Sequence, residues 1–161
     1  MTVVAARVDE RMIHGQVATV WTNTVGADRL MVANDKVVHD DLQISALKMA
    51  RPAGKKLAIS SIEKAIINLQ PGAKYTNDKV FVITRNIADM AALIDGGAPI
   101  TNFNVGNISE KEGSKAIKKS VNLTPDDVAT INRLLDQGIK ITAQMVPNES
   151  DASIATFLEE K

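Results

Sequence analysis

Runs of β-branched and aliphatic residues alternate along the chain with segments in which apolar residues recur at helical spacing. Several of the runs are apolar at successive positions, as expected of strands covered on both faces. The predicted strands are residues 2–8, 29–34, 55–60, 79–84, 100–105, 120–124 and 140–146. The predicted helices are residues 15–26, 37–50, 61–70, 86–97, 124–138 and 151–160. This alternation predicts an α/β fold with a mainly parallel, doubly wound sheet of about seven strands and helices on both faces.

The segment 124–138 carries its own start and stop signals for a helix. Thr124 suits the N-cap, Pro125 suits the first helical position, acidic residues follow in the first turn, and Gly138 stands at the end. No internal repeat, low-complexity stretch or linker divides the sequence. The whole chain, residues 1–161, is therefore expected to form one domain.

In sheets of this kind, ligands bind beyond the carboxyl ends of the strands, where loops lead into helices. Residues 8–16, 34–37 and 104–108 follow predicted strands and are expected to share that edge. The first of these stretches lies in "RVDERMIHGQV", residues 7–17, which carries arginines, carboxylates and one of the two histidines of the chain. The sequence thus predicts a functional site at this edge of the sheet.

Composition narrows the classes of function. The chain has 161 residues, of which 45% are hydrophobic, so a single core can form without disulfides or metal. The 19 Lys and Arg residues balance the 19 Asp and Glu residues, and aromatics are only 3%, so nucleic acid is not an expected partner. The absence of cysteine excludes thiol chemistry, and neither a His cluster nor a Gly-rich phosphate-binding motif is present. Without a leader or a long apolar run, we expect a soluble cytoplasmic protein.

The charged loop has the chemistry for a phosphoryl group. An anion attached to His14 would face unpaired backbone N–H groups at the start of the next predicted helix and the positive end of its dipole. Arg7 and Arg11 would add charge-assisted hydrogen bonds. Asp9 or Glu10 would hold the other ring nitrogen as a donor and fix the tautomer. This combination is typical of phosphoryl transfer, in which a protein contributes chiefly position and charge.

A solvated loop without function explains the same residues, with Arg7 paired to Asp9 and His14 simply preceding the helix. Physical chemistry alone leaves both interpretations open. Two further candidates have ordinary alternatives as well. Asp35 either lines a phosphoryl pocket or forms a turn, and Gly106 either brings its backbone close to the phosphate or is a plain strand-to-loop glycine. Trp21 is expected in the core.

The run Arg7-x-Asp9-x-Arg11-x-Ile-His14-Gly-Gln-Val closely resembles the active loop of enzyme IIB in the mannose/fructose/sorbose family of the bacterial phosphoenolpyruvate-dependent sugar phosphotransferase system. The likeness continues through Trp21, Asp35, 95–107, 124–138 and 145–147, so it spans nearly the entire chain. Glu10, Met12 and Asn107 stand where Asp, Leu and Gly are common in the family. Asn107 also occurs in members that resemble the N-acetylgalactosamine branch, which favours an amino sugar.

The resemblance implies one IIB domain over residues 1–161. Such a domain takes a phosphoryl group from a phosphohistidine on IIA and passes it to a sugar that enters through the membrane subunits IIC and IID. His14 matches the phosphorylated histidine, whose Nδ1 carries the group, and Asp9 matches an orienting carboxylate. The residues expected to surround the phosphoryl group are Arg11, Arg7, Asp9, Gly15, Gln16, Asp35 and Gly106. Neither a metal nor an organic cofactor is implied.

The expected partners are phosphorylated IIA, the IIC and IID subunits and the sugar, and the sequence is compatible with a homo-oligomer. The chain is expected in the cytoplasm, held at the inner face of the membrane through IIC and IID. Two other functions stay open on the sequence. One is a non-catalytic sensor or scaffold of the same fold that binds an anion or a phosphoprotein. The other is a small nucleotide-binding α/β protein.

Overall fold

The computed structural model describes residues 2–158, without the side chain of Gln16. Within this part of the chain the strands are β1 (Val3–Asp9), β2 (Arg29–Ala33), β3 (Lys56–Ser60), β4 (Val80–Thr84), β5 (Asn102–Asn107), β6 (Lys115–Lys118), β7 (Val121–Leu123) and β8 (Lys140–Ala143). The helices are α1 (Gly15–Val25), α2 (Asp41–Ala50), α3 (Ile62–Asn68), α4 (Ile87–Asp95), α5 (Pro125–Asp136) and α6 (Ala155–Leu158). None of them is long and apolar enough to cross a membrane.

Strands β1 to β5 and β8 form a parallel sheet in the order β3-β2-β4-β1-β5-β8. Near the end of β1, Val8 lies beside Thr84 of β4 on one side and Val105 of β5 on the other. Because the carboxyl ends of parallel strands meet at one edge, the loop after β1 lies between the ends of β4 and β5. The predicted mainly parallel α/β fold is confirmed.

Two clusters of buried side chains show how the helices cover this sheet. One cluster contains Trp21 of α1 and Leu47 of α2, and the other contains Ala65 of α3, Met90 of α4 and Leu134 of α5. Alternate residues of β2 and β4 belong to alternate clusters, so the clusters lie on opposite faces. The doubly wound arrangement is therefore confirmed, and Trp21 lies in the core as predicted.

The structure differs from the predicted elements at three places. Residues 120–124 were expected to form a strand of the main sheet, but β7 pairs antiparallel with β6 instead. The apolar pattern did not predict β6, because β6 is rich in lysine. The predicted helix 37–50 is divided into a 3₁₀ turn at Val37–His39 and α2, since the Asp40 side chain caps α2 by accepting from the Gln43 N–H group. The last predicted helix, residues 151–160, begins only at Ala155, because Ser153 pairs with Thr142 in an isolated antiparallel bridge. Residues 159–161 lie outside the described residues.

Helix α5 has the start that its sequence predicts. The Thr124 hydroxyl oxygen accepts from the Asp127 N–H group at 3.1 Å, and an Asp127 carboxylate oxygen accepts from the Thr124 N–H group at 3.0 Å. This reciprocal pair satisfies two backbone donors that the helix itself leaves unpaired. The helix then packs Ile131 and Leu134 into the core.

Candidate functional site

The loop between β1 and α1 begins with a tight turn. The Met12 N–H group donates to the Asp9 carbonyl oxygen at 2.8 Å, and the Arg11 N–H group donates to Asp9 Oδ1 at 3.0 Å. Met12 has a φ of 61°, in the left-handed region, which costs a residue other than glycine about 1–2 kcal/mol. Its side chain and that of Ile13 are buried in the apolar cluster that contains Trp21 of α1. Apolar packing therefore holds the loop in a conformation that its backbone alone disfavours.

Asp9 is the centre of the polar contacts in this loop. Its side chain is only 1% exposed. It accepts hydrogen bonds from Arg7 Nε at 3.3 Å and Nη2 at 3.1 Å, and from the Arg11 backbone as above. Asp9 Oδ2 also lies 3.3 Å from Nε2 of His14. The end of β1 thus points one buried carboxylate at the histidine.

The contact with Asp9 distinguishes the two ring nitrogens of His14. An ionised carboxylate only accepts hydrogen bonds, so Nε2 carries the hydrogen in the neutral ring and Nδ1 carries the lone pair. The side chain of His14 is 25% exposed, which leaves the ring accessible from solvent. The geometry provides an accessible histidine whose tautomer is fixed.

His14 is also the N-cap residue of α1, but its side chain does not cap the helix. The first N–H groups of a helix lack partners within the helix, and the first turn of α1 has no acidic residue. In contrast, a side chain accepts from the first turn in each of α2 to α5; these caps are Asp40, Ser61, Asn86 and Thr124. The start of α1, including the backbone of Gly15 and Gln16, therefore offers donors to an anion on His14.

Arg7 directs all its donors toward the protein. The side chain is 3% exposed and makes five hydrogen bonds: two to Asp9, one to the Asn104 side chain, and one each to the carbonyl oxygens of Gln144 (2.9 Å) and Met145 (3.0 Å). A guanidinium has five N–H groups, so this set uses every one. Burial lowers the pKa of Arg7 below its ordinary value, and the nearby Asp9 carboxylate opposes that shift.

Gly106 and Trp21 enclose the Arg7 guanidinium. A Cβ atom on Gly106 would overlap the guanidinium group, so β5 needs glycine at this position to admit it. The ring of Trp21 lies 5.0 Å from Arg7 Cζ, and its Nε1 donates to the Met145 carbonyl oxygen at 2.8 Å. Gly106 was expected either to bring its backbone close to the phosphate or to be a plain strand-to-loop glycine, and in the structure its neighbour is the Arg7 side chain.

Arg11 is the exposed cation of the loop. Its side chain is 47% exposed, and its Nε lies 3.9 Å from Asp9 Oδ1. At that distance it holds Asp9 only loosely, and its other donors remain free to turn toward an anion next to His14. The structure thus brings His14, Asp9, Arg7 and Arg11 together, as the sequence predicted.

Asp35 lies farther along the same edge of the sheet. It follows β2, which is separated from β1 by β4, and its Oδ1 accepts from the Ile62 N–H group at 2.8 Å at the start of α3. With Glu10, Arg85 and Lys111 it lines a cleft of about 500 Å³. The sequence did not single out Arg85, because the strand order that places β4 between β1 and β2 cannot be read from a local pattern.

The chain is similar to known proteins over almost its full length. A family model described as the sorbose subfamily IIB component of the PTS system matches residues 3–161. The sorbose-specific EIIB component of Lacticaseibacillus casei is 37% identical over 160 residues, which are 99% of this chain and 97% of that protein. The N-acetylgalactosamine-specific phosphotransferase enzyme IIB component 2 of Escherichia coli is 34% identical over 156 residues, 97% of this chain and 98% of that protein.

Solved structures of such components have the same fold. The IIBSor domain of the sorbose permease from Klebsiella pneumoniae superposes with a TM-score of 0.93 at 31% identity, covering 100% of this chain and 98% of that one. The N-acetylgalactosamine-specific IIB component 1 of Escherichia coli superposes with a TM-score of 0.87 at 30% identity, covering 94% of this chain and 98% of that one.

Proposed function

Because the chain belongs to the sorbose subfamily of PTS IIB components, which act as phosphotransferases for sugar, we propose that His14 is its phosphoryl carrier. The observation that carries the proposal is the 3.3 Å contact between His14 Nε2 and Asp9 Oδ2 at the start of a helix without a side-chain cap. It supports a nucleophilic Nδ1 next to free backbone donors.

In the first step, the Nδ1 lone pair of His14 attacks the phosphorus of a phosphohistidine on IIA. The new N–P bond forms as the donor N–P bond breaks, and the donor nitrogen keeps the electron pair. In the second step, a sugar hydroxyl oxygen attacks the same phosphorus, the bond to Nδ1 breaks, and the electron pair returns to Nδ1. The hydroxyl proton passes to a base. Asp9 holds the hydrogen of Nε2 throughout, so the same tautomer is present before and after each transfer.

Charge stabilisation comes from two sources in this proposal. The N–H groups at the start of α1, with Gly15 and Gln16, bind the equatorial oxygens, and Arg11 moves onto them from its loose contact with Asp9. Arg7 has no free donor for the phosphoryl group, so we assign it to positioning Asp9. Gly106 supports the site by making room for Arg7.

The proposed donor is a phosphorylated IIA protein, and the proposed acceptor complex is the sugar with IIC and IID at the cytoplasmic face of the membrane. The mannose-specific EIIAB component of Escherichia coli matches this chain over 46% of its own length, at 30% identity. Asp35 stays a predicted residue of the phosphoryl pocket. From its position at the start of α3 it would contact the phosphoryl donor and would not contact His14. The amino-sugar preference drawn from Asn107 also stays a prediction.

Intact-mass spectrometry tests the proposal. The chain is incubated with phosphoenolpyruvate, enzyme I, HPr and a mannose-family IIA protein, and compared with His14→Ala and with His39→Ala, which alters the other histidine of the chain. We expect one acid-labile phosphoryl group on the wild type and on His39→Ala, and none on His14→Ala. Binding of phosphorylated IIA without any mass gain would instead favour a non-catalytic sensor.

A further inference from the structure

Helix α2 presents two large apolar side chains to solvent on the side opposite its core contact. Leu42 is 82% exposed and Met49 is 88% exposed, whereas Leu47 is 3% exposed. Among residues 2–158, Leu42 and Met49 are the most exposed large hydrophobic side chains. They are seven residues apart, which is nearly two helical turns, so they lie on one line along the helix. Two aligned apolar side chains form a stripe, unlike scattered surface residues.

A line of opposite charges runs beside this stripe. Asp41 immediately precedes Leu42, and Lys48 immediately precedes Met49, so these two charges are also seven residues apart. Both side chains are exposed, and neither forms a salt bridge with another described residue. Asp41-Leu42 and Lys48-Met49 are therefore two pairs of one charged and one apolar residue, about two turns apart and opposite in charge.

We propose that this face of α2 binds α2 of a second copy of the chain in an antiparallel, two-fold symmetric pair. Around an axis between residues 45 and 46, Leu42 lies opposite the partner's Met49, and Asp41 lies beside the partner's Lys48. The symmetry makes each contact twice. Ser45 and Ala46 at the centre are small and exposed, so the two helices can approach closely there.

The charge pattern selects this partner and this direction. In a parallel two-fold pair, opposite edges of the two helix faces meet, so the row of Asp41 and Lys48 would lie against the partner's Leu42 and the partner's Met49, where neither charge finds a partner. In the antiparallel pair the same edges meet, so Asp41 meets the partner's Lys48 while Leu42 packs on the partner's Met49. One helix face is small compared with the roughly 1,200–2,000 Å² of a stable interface, so the pair dissociates on dilution. None of these residues belongs to the loop that carries His14, so self-association is measured independently of phosphoryl transfer.

Sedimentation equilibrium of the full chain at increasing concentration tests the proposal. The wild type is expected to approach the mass of a dimer as concentration rises. Leu42→Glu and Met49→Glu should each remain monomeric, because a buried carboxylate without a partner opposes association. Ile67→Glu is the matched control, since Ile67 is 58% exposed on α3 at the other face of the sheet and should leave association unchanged.

Charge exchange tests the register. Asp41→Lys and Lys48→Glu should each associate more weakly than the wild type, because each places two like pairs in its own dimer. An equimolar mixture of the two variants should recover dimers, since in the mixed pair every charge again meets its opposite. A mixture that remains monomeric contradicts the antiparallel arrangement. Circular dichroism confirms that both variants keep the helix.

Two results would overturn the proposal outright. One is a wild type that remains monomeric at every concentration. In that case, Leu42-dependent sedimentation with membranes that contain IIC and IID subunits would assign the stripe to those subunits instead. The other is a dimer that Leu42→Glu and Met49→Glu leave intact, which would place the interface on another face of the molecule.

Discussion

His14 differs from the other helix-start residues in the direction of its side chain. The N-cap side chains of α2 to α5 turn back onto their own helices, whereas the imidazole of His14 faces Asp9. The imidazole therefore leaves the first backbone donors of α1 uncapped, as the proposed phosphoryl site requires. At the scale of single residues, the site depends on a missing cap as much as on the groups that are present.

Removal of the Arg11 side chain tests its assigned role. Arg11→Ala is expected to slow phosphorylation of His14 by about 10²–10³-fold, the usual effect of losing one donor to a developing anion. The side chain is half exposed, so the fold should be unaffected. Rapid-quench measurement of the transfer rate checks this, with the exposed Arg51→Ala as control. A rate equal to that of the wild type would remove Arg11 from the mechanism.

Gly106→Ala tests the positioning of Arg7. The added methyl group overlaps a guanidinium that is held by five hydrogen bonds, so we expect about 1–3 kcal/mol of lost unfolding free energy and slower phosphoryl transfer. ¹⁵N NMR of His14 should also show loss of the single Nε2–H tautomer.

Gly96→Ala provides the matched control for that variant. A methyl group there meets chiefly the flexible end of Ile66, so phosphoryl transfer and the His14 tautomer should not change. If Gly106→Ala destabilises the chain but leaves the tautomer intact, Arg7 does not act through Asp9.

The sequence predicted the local part of the site and not the distant part. His14, Asp9 and Arg11 lie within six residues of one another, so one strand-to-helix loop brings them together. Two acceptors of Arg7 are backbone carbonyls that are 137 and 138 residues away, and any residue type supplies a carbonyl. The glycine at 106 signalled a close approach, but only the fold identifies the approaching group as Arg7.

At the scale of elements, helices were predicted well where side chains mark their ends. Thr124 and Pro125 placed α5 within two residues of its observed bounds, and Asp40 explains the division that periodicity alone missed before α2. Strand β6 was missed because its lysines are typical of solvated segments, and only pairing with β7 gives it regular structure. The order of the parallel strands follows from contacts distant in sequence, which no local pattern contains.

Thr124→Ala tests how much the capping box of α5 contributes. Loss of the hydroxyl acceptor leaves the Asp127 N–H group unpaired and is expected to lower the unfolding free energy by about 1 kcal/mol. Thr124→Ser keeps the acceptor and should cost much less. Urea unfolding of both variants measures the difference. Because α5 carries none of the assigned site residues, phosphorylation of His14 should be unchanged, and a parallel loss of transfer would contradict this separation.

At the scale of the whole molecule, carboxylates join segments that are distant in sequence. Glu10 accepts from both the backbone and the hydroxyl of Ser109, which ties the loop after β1 to the segment after β5. The backbone hydrogen bond from Ser109 is the main reason that the pKa of Glu10 lies below its ordinary value. Hydrogen bonding by Arg29 lowers the pKa of Asp78 in the same direction. Folding therefore favours the ionised form of these groups.

This direction predicts that acid weakens the fold. A carboxyl group with a lowered pKa stabilises the folded state above its unfolded pKa, about 4.3 for glutamate, and this contribution disappears as pH falls through the lower folded value. The wild type should therefore lose more unfolding free energy than Glu10→Gln when the pH is lowered from 7 to below 4. Urea unfolding at several pH values measures both proteins, and equal losses would contradict the assignment.

Asp89 supplies the opposite sign and completes the test. Burial raises the pKa of Asp89, against the hydrogen bond from Asn34, so its ionisation costs stability at neutral pH. As pH falls through its raised folded pKa, Asp89 takes up a proton more readily in the folded state, and part of the stability lost elsewhere is recovered. Asp89→Asn lacks this recovery and should lose more unfolding free energy than the wild type over the same range. Opposite deviations of Glu10→Gln and Asp89→Asn cannot arise from a general effect of acid, because such an effect would move both variants in the same direction.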